Sequence, residues 1–277
     1  MQKLPKKFYE VIVIDNCPLL PSDYIAHYFK REINIKYFLE KKEGLSYARN
    51  KGCLVAKAPY LVYIDDDAIL PAHYLNSISS VIKKFKPDIL GGPVYPYYTQ
   101  SKPLWFQDKY GIKKYENKSG FSRNCSITGA NYVIKKSILL KMGLFDTQLG
   151  MKGEDIGIGE ERKILDQYRT DTPSSRQKVY YSLNSYVKHY MPKYKMSFIY
   201  LLKRSFIAGQ TWGRLSRNKF KLIYKIIYAY FWILSTPLIL SYIIIKEIIT
   251  KSFSQADYLK IILNHSCKLG FVSGILK

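Results

Sequence analysis

The first hundred residues alternate short apolar runs with helical or polar stretches: YEVIVID, a helix candidate near Ser22 to Arg31, INIKYFL, GLSYARNKGCLVAKA and YLVYIDDDAIL. Strands alternating with helical patterns build βαβ units, so this rhythm predicts an α/β layer on a parallel sheet. Residues from about 100 to 192 are less regular, punctuated by aromatics and glycines in GGPVYP, SITGANYVI and GMKGEDIGIGEE. After Met191-Pro192 the chain turns helical, basic and then apolar, and ends in an amphipathic helix around Ala256 to Leu269. With 277 residues there is enough chain for one large core and an appendage. The division expected is a compact domain over 1–195 and a helical C-terminal region over 196–277.

The run Asp65-Asp66-Asp67 closes the apolar strand YLVYI. Three adjacent carboxylates repel one another unless a cation compensates, and hard oxygen ligands at a strand's carboxyl end suit Mg2+ or Mn2+ held jointly with phosphates. A solvated acidic turn is the plainer alternative. A second acidic constellation, GEDIGIGEE, sets Glu154 and Asp155 between glycines, with Glu160 and Glu161 following. A carboxylate there could serve as a general base; equally, Glu154 and Asp155 could cap the next helix. Arg49, in EGLSYARNKG, could face a diphosphate or simply sit exposed on its helix. His189, in VKHYMP, ends an apolar strand and becomes a ligand only if the aspartates lie nearby. A phosphatase of the D-x-D-x-Thr/Val type is disfavoured by Ile69, two places after Asp67, and no phosphate-binding G-x-x-x-x-G-K-[ST] loop is present.

The charge is as uneven as the motifs. Lys and Arg number 44 against 21 Asp and Glu, a net charge of +23, and 13 of the basic residues fall between Asp171 and Glu247, where no acid occurs. Such a block attracts anionic partners. Residues 226–245 are 20 uncharged positions between Lys225 and Lys246, about the length that spans a bilayer, so an anionic membrane surface is favoured over nucleic acid. Pro237 and the basic tail also admit a re-entrant or interfacial helix pair, and a buried core helix is the remaining reading. Arg214, Arg217, Lys219, Lys221 and Lys225 precede the apolar run, which predicts that the preceding domain faces the cytosol. No secretory signal opens the chain, and Cys17, Cys53, Cys125 and Cys267 stand too far apart for a C-x-x-C site.

Taken in order, EVIVIDNCP, EGLSYARNKG, APYLVYIDDDAIL, LGGPVYP, ITGANYVIKKSILLKMGLFD, GMKGEDIGIGEE and VKHYMPKYKMSFIYLLKRSFIAGQTW resemble the family 2 glycosyltransferases of the GT-A fold. The resemblance spans roughly residues 9–215 and implies a Rossmann-like mixed sheet flanked by helices, followed by membrane-associated helices. It implies that Asp15 approaches the nucleobase and Arg49 the nucleotide. Asp65, Asp66 and Asp67 would form the Asp-x-Asp motif, with Asp67 the direct Mn2+ or Mg2+ ligand and His189 an added metal or diphosphate contact. Gly129, Ala130 and Asn131 match the acceptor-side motif, and Asp155, beside Glu154, matches the catalytic base. Family members begin with a strand of the type SVIIPTYN and a helix, so the chain is expected to lack a central strand and leave its neighbours' edges unpaired. Gln210-Thr211-Trp212-Gly213-Arg214 departs from the Gln-x-x-Arg-Trp motif of processive members, which predicts one transfer per encounter.

The function expected is therefore metal-dependent, inverting transfer from a nucleotide-sugar, with UDP preferred, to a saccharide or lipid-linked acceptor at the cytoplasmic face of a membrane. The alternative is a catalytically impaired relative that keeps a membrane-docked binding role.

Overall fold

A computed structural model describes residues 2–153, 155–216, 222–250 and 255–276. The chain forms two compact units. The first comprises Met1–Tyr97, Gly111–Asp155 and Glu160–Tyr190; the second comprises Tyr98–Tyr110, Ile156–Gly159 and Met191–Lys277.

In the first unit the elements run β1 (Val11–Asn16), α1 (Asp23–Phe29), β2 (Ile35–Glu40), α2 (Leu45–Val55), β3 (Tyr60–Tyr63), β4 (Ala68–Ile69), α3 (Tyr74–Phe85), β5 (Ile89–Gly91) and β6 (Val94–Tyr97). They continue with β7 (Gly120–Phe121), β8 (Tyr132–Lys135), α4 (Lys136–Lys141), α5 (Glu160–Asp171), β9 (Val179–Tyr181) and β10 (Val187–Tyr190). The central sheet has the order β3-β8-β5-β9-β7. Only β5 and β9 pair in parallel there, while β8 is antiparallel to both β3 and β5. The all-parallel expectation for the first hundred residues thus holds for β1 with β2 but not for β3, whose partner β8 comes from beyond them.

The core explains why these strands read as continuous apolar runs rather than alternating ones. Successive side chains point to opposite faces, and both faces are covered. Ile89, Tyr132, Ile134, Val179 and Tyr181 join one buried cluster with Cys53, Leu139, Ile164 and Leu165 of α2, α4 and α5. Leu90, Val133 and Tyr180, their neighbours in sequence, join the other with Tyr74 and Ile78 of α3. By contrast no residue of β1 is fully buried. β1 is bonded to β2 alone and β3 to β8 alone, so among the described residues each presents one edge without a strand.

The second unit is dominated by α6 (Phe198–Ser216), α7 (Leu222–Thr250) and α8 (Gln255–Leu276). Helices α6 and α8 touch backbone to backbone: a Cβ at Gly209 would strike the Cys267 carbonyl, and one at Gly270 the Phe206 carbonyl. Gly213 and Gly274 are equally confined, so the small residues recur at a spacing of four on both helices, which is what lets helix axes approach closely. The apolar run 226–245 falls in α7, with Pro237 inside the helix. Among the described residues no helix is long and apolar enough to cross a membrane.

Candidate functional site

The aspartate run does not continue β3 but leaves it. Asp65 starts a tight turn in which its carbonyl accepts from the Ala68 amide, and β4 follows at once. β4 pairs antiparallel with β10 so that His189 lies opposite Ala68, and the Tyr190 amide donates to the Asp67 carbonyl at 2.9 Å. This register brings in a histidine more than a hundred residues away. His189 Nε2 lies 3.3 Å from Asp65 Oδ2 and 3.1 Å from Asp67 Oδ1. The ligand atoms of Asp65, Asp67 and His189 all fall within 4.8 Å of one another. Asp66, between them, points outward and is exposed.

The donor set fits a divalent cation. Two carboxylates and an imidazole are acceptable to Mn2+ and Mg2+, and His189 Nδ1 rests 3.1 Å from the Tyr190 carbonyl, which leaves Nε2 directed at the carboxylates. Burial would push the His189 pKa down, but the hydrogen bond to Asp65 and the charges of Asp67 and Asp65 overcome it and hold the ring above its usual range. Burial likewise acts to raise Asp65, and His189 and Arg49 together hold it below the usual carboxylate range.

Arg49 is buried on α2, not exposed. Its Nη1 donates to Glu160 Oε1 at 2.5 Å and its Nη2 to Asp65 Oδ1 at 3.2 Å, so one guanidinium ties the aspartate loop to the first turn of α5. Gly129 is its floor: a Cβ there would lie 2.6 Å from Nη2 and 2.9 Å from Nη1. The Gly129 amide donates to Glu161 Oε1 at 3.2 Å.

Of the GEDIGIGEE carboxylates, Glu160 and Glu161 lie at the start of α5, apart from the expected Glu154 and Asp155. Glu154 lies outside the described residues. Asp155 is exposed, its backbone bridging to Lys152, and it does not cap α5, whose first-turn acids are Glu160 and Glu161. Glu160 is only 4% exposed, and the second carboxylate oxygens of Glu160 and Glu161 are buried with no hydrogen-bond partner among the described residues. Burial and the neighbouring Glu161 charge push Glu160 up to about 8, against the pull of Arg49. Glu160 therefore holds its proton more tightly than an ordinary carboxylic acid does. The signal available in sequence was the acid pair directly following Gly159, at a helix start.

The other expected residues are placed as follows. Asp15, on β1, accepts from the Ser22 amide at 2.9 Å and the Tyr37 hydroxyl at 2.7 Å, pinning the loop after its strand. Ala130 and Asn131 are buried. The Asn131 amide is spent inside the fold: it accepts from the Tyr74 hydroxyl and donates to the Ser185 and Pro93 carbonyls. Asn131 fastens α3 and the strand β10 loop behind the site rather than facing it.

A mixed α/β core whose acidic loop closes a strand is a GT-A-like arrangement, and solved structures agree. The chain superposes on S. aureus TarS 1–349 in complex with UDP with a TM-score of 0.54 at 12% identity, covering 96% of this chain and 83% of that one. The UDP-GlcNAc complex of TarS gives 0.54 at 13% identity over 75% of this chain and 59% of that one. The sequence profile of glycosyl transferase family 2 matches residues 1–143, and the chain belongs to that family. It is 26% identical over 176 residues to the glucosyl-dolichyl phosphate glucuronosyltransferase of Haloferax volcanii, covering 61% of this chain and 55% of that protein. It is 24% identical over 170 residues to the glycosyltransferase GlyA of Streptococcus pneumoniae, covering 57% of this chain and 24% of the relative. The chain thus spans about half the length of the first and about a quarter of the second.

Proposed function

We propose that the chain transfers a sugar from a nucleoside diphosphate donor, UDP in preference, to a hydroxyl acceptor of a surface polysaccharide or lipid-linked precursor, with inversion and with dependence on Mn2+ or Mg2+. The observation that carries this reading is the convergence of Asp65, Asp67 and His189 to within 4.8 Å, in a chain of this family. UDP and its sugar bound to TarS, and the dolichyl phosphate in the archaeal relative's name, support the choice of donor and acceptor.

Asp67, Asp65 and His189 would hold the cation, which supplies positive charge against the departing diphosphate. Arg49 keeps the Asp65 carboxylate in place. The acceptor hydroxyl loses its proton to a carboxylate, its oxygen bonds to the anomeric carbon, and the bond from that carbon to the diphosphate oxygen breaks on the opposite face. Glu161 is the base favoured by its position beside Glu160, which Arg49 ties to Asp65, and by the hydrogen bond it accepts from the Gly129 amide. Asp155 is the second reading, favoured by its exposure. Donor-consumption assays on Glu161→Gln and Asp155→Asn decide between them: the base variant loses turnover and keeps UDP affinity. Calorimetry with UDP and Mn2+ tests the whole reading, since a folded sample giving no heat belongs to a non-catalytic binding protein.

The C-terminal helices are proposed to rest on the cytoplasmic face of an anionic membrane. Tyr224, Ile227, Tyr230, Phe231, Leu234 and Leu238 of α7 are each at least half exposed and fall on one side of the helix, an apolar stripe preceded by a basic stretch of chain. Complete recovery in the soluble fraction at low salt, without detergent, would overturn this placement.

A further inference from the structure

The amino-terminal segment of the first unit carries a basic surface unrelated to the donor site. Gln2 and Lys3 fasten this segment to the start of α3: the Gln2 side chain donates to the Pro71 carbonyl and accepts from the Leu75 amide, and the Lys3 amide donates to Ala72. A short helical turn, Lys6–Phe8, then brings Phe8 to the far end of α3. There the phenyl ring stands 60% exposed, with Lys7 Nζ 5.3 Å and Lys83 Nζ 5.7 Å from its centre. Lys3, Lys6, Lys7, Lys83, Lys84 and Lys86 are all exposed, and among the described residues none of the six is ion-paired.

Nothing acidic offsets this charge. Residues 2–9 and 68–87 contain no Asp or Glu. The acids that border these stretches are occupied elsewhere: Glu10 by Lys36 and the amides of Lys57 and Ala58, Asp67 by His189, and Asp88 by Lys135 and Tyr168. The negative end of the α3 dipole adds to the pull on its last-turn lysines and does not cancel six ammonium charges.

We infer that this Phe8-centred lysine surface docks on an anionic lipid bilayer, as a contact additional to the C-terminal helices and independent of the glycosyl-transfer reading. Ammonium groups on flexible stems meet lipid phosphates as point charges, while an exposed ring among them enters the interface to the depth of the headgroups. Nucleic acid is the less suited partner: the surface has no Arg fork for base edges, and one ring cannot stack successive bases.

The test uses the full chain and phosphatidylcholine vesicles with and without phosphatidylglycerol. Lys6→Gln/Lys7→Gln/Lys83→Gln should weaken binding to the anionic vesicles on the order of a hundredfold at low salt, from the usual contribution of each lysine near a charged surface. Lys114→Gln/Lys118→Gln/Lys141→Gln, an equal charge change elsewhere, should weaken it far less. Phe8→Ala should weaken it at physiological salt as well, where screening leaves the apolar contact. Amide exchange should slow across residues 3–9 when anionic vesicles are added. Equal binding by the two triple variants, with no slowing at residues 3–9, overturns the inference while leaving any C-terminal contact intact. Loss of duplex DNA binding by the first triple variant, with vesicle binding kept, overturns it in favour of nucleic acid.

Discussion

Arg49 Nη1 and Glu160 Oε1 lie 2.5 Å apart although 111 residues separate them in the chain, and both side chains are buried. Through Arg49 the buried acid pair of α5 and the aspartate loop after β3 become one electrostatic unit. Such a unit is sensitive to whatever holds the guanidinium still.

Gly129 does so. Alanine there would put a methyl 2.6 Å from one guanidinium nitrogen and 2.9 Å from the other, and Arg49 cannot swing aside without leaving Glu160 or Asp65 buried beside an unpaired charge. Gly129→Ala should therefore cost about 1–3 kcal/mol by overpacking and cut donor turnover with it. Arg49→Lys removes the fork that serves two carboxylates and should cost more, about 3 kcal/mol or above. Thermal unfolding and donor consumption measured together check both; an unchanged Tm for Gly129→Ala would mean the guanidinium is free to move.

Removing a cation ligand should show in the metal titration rather than in folding. His189→Ala should raise the Mn2+ concentration for half-maximal turnover by at least about tenfold, with part of the rate recovered at high metal. Asp67→Asn should do the same and weaken UDP in parallel. The relation to Asp65 and Asp67 at 3.3 and 3.1 Å is what this prediction rests on. A titration identical to that of the unaltered chain would remove His189 from the site.

These contacts mark how far the sequence could be read. The strands and the acid run were legible because apolar runs bounded by turns and three adjacent aspartates are local signals. His189 is legible in sequence as a strand-end histidine, but its arrival beside Asp65 and Asp67 depends on the β4–β10 register, with β4 only two residues long, too short to read. Arg49 is legible as a residue that faces a diphosphate or sits exposed on its helix, but its burial against Glu160 is not, because burial of a charge depends on partners that sequence distance hides. Asp155 stands out through the resemblance of GEDIGIGEE to a family motif, whereas the burial of Glu160 at the start of α5 depends on packing that the motif does not carry. For β3, local hydrophobicity could not reveal an antiparallel partner more than seventy residues on.

The tighter hold of Glu160 on its proton should appear in stability. Glu160 binds its proton more tightly in the folded chain, up to about 8, than the unfolded value of 4.5. Between those values the native state carries more protons, so stability falls as pH rises through that window and levels off above it. Glu160→Gln has no proton to lose there. Urea unfolding at intervals from pH 5 to 8 should show the unaltered chain losing ground steadily to the variant, and parallel pH profiles would assign the proton elsewhere.

Two glycine-to-alanine changes, both inside helices, should move stability in opposite directions. Alanine is favoured over glycine in a helix by about 1 kcal/mol, and that gain applies at both positions. At Gly52 on α2 the new methyl would meet only the Ile14 side chain, 3.6 Å away in ordinary contact, so Gly52→Ala should be neutral or stabilising by up to about 1 kcal/mol. At Gly209 on α6 the same methyl would collide with the Cys267 carbonyl of α8, and a backbone group held in a helix cannot rotate away as a side chain can. Forcing the two helices apart costs about 1–3 kcal/mol or more, which exceeds the propensity gain. Gly209→Ala should accordingly be destabilising, seen as faster proteolysis of the segment from Phe198 to Leu276, while Gly52→Ala leaves cleavage there unchanged. Equal cleavage of the two variants would mean that α6 and α8 do not depend on the glycine contact.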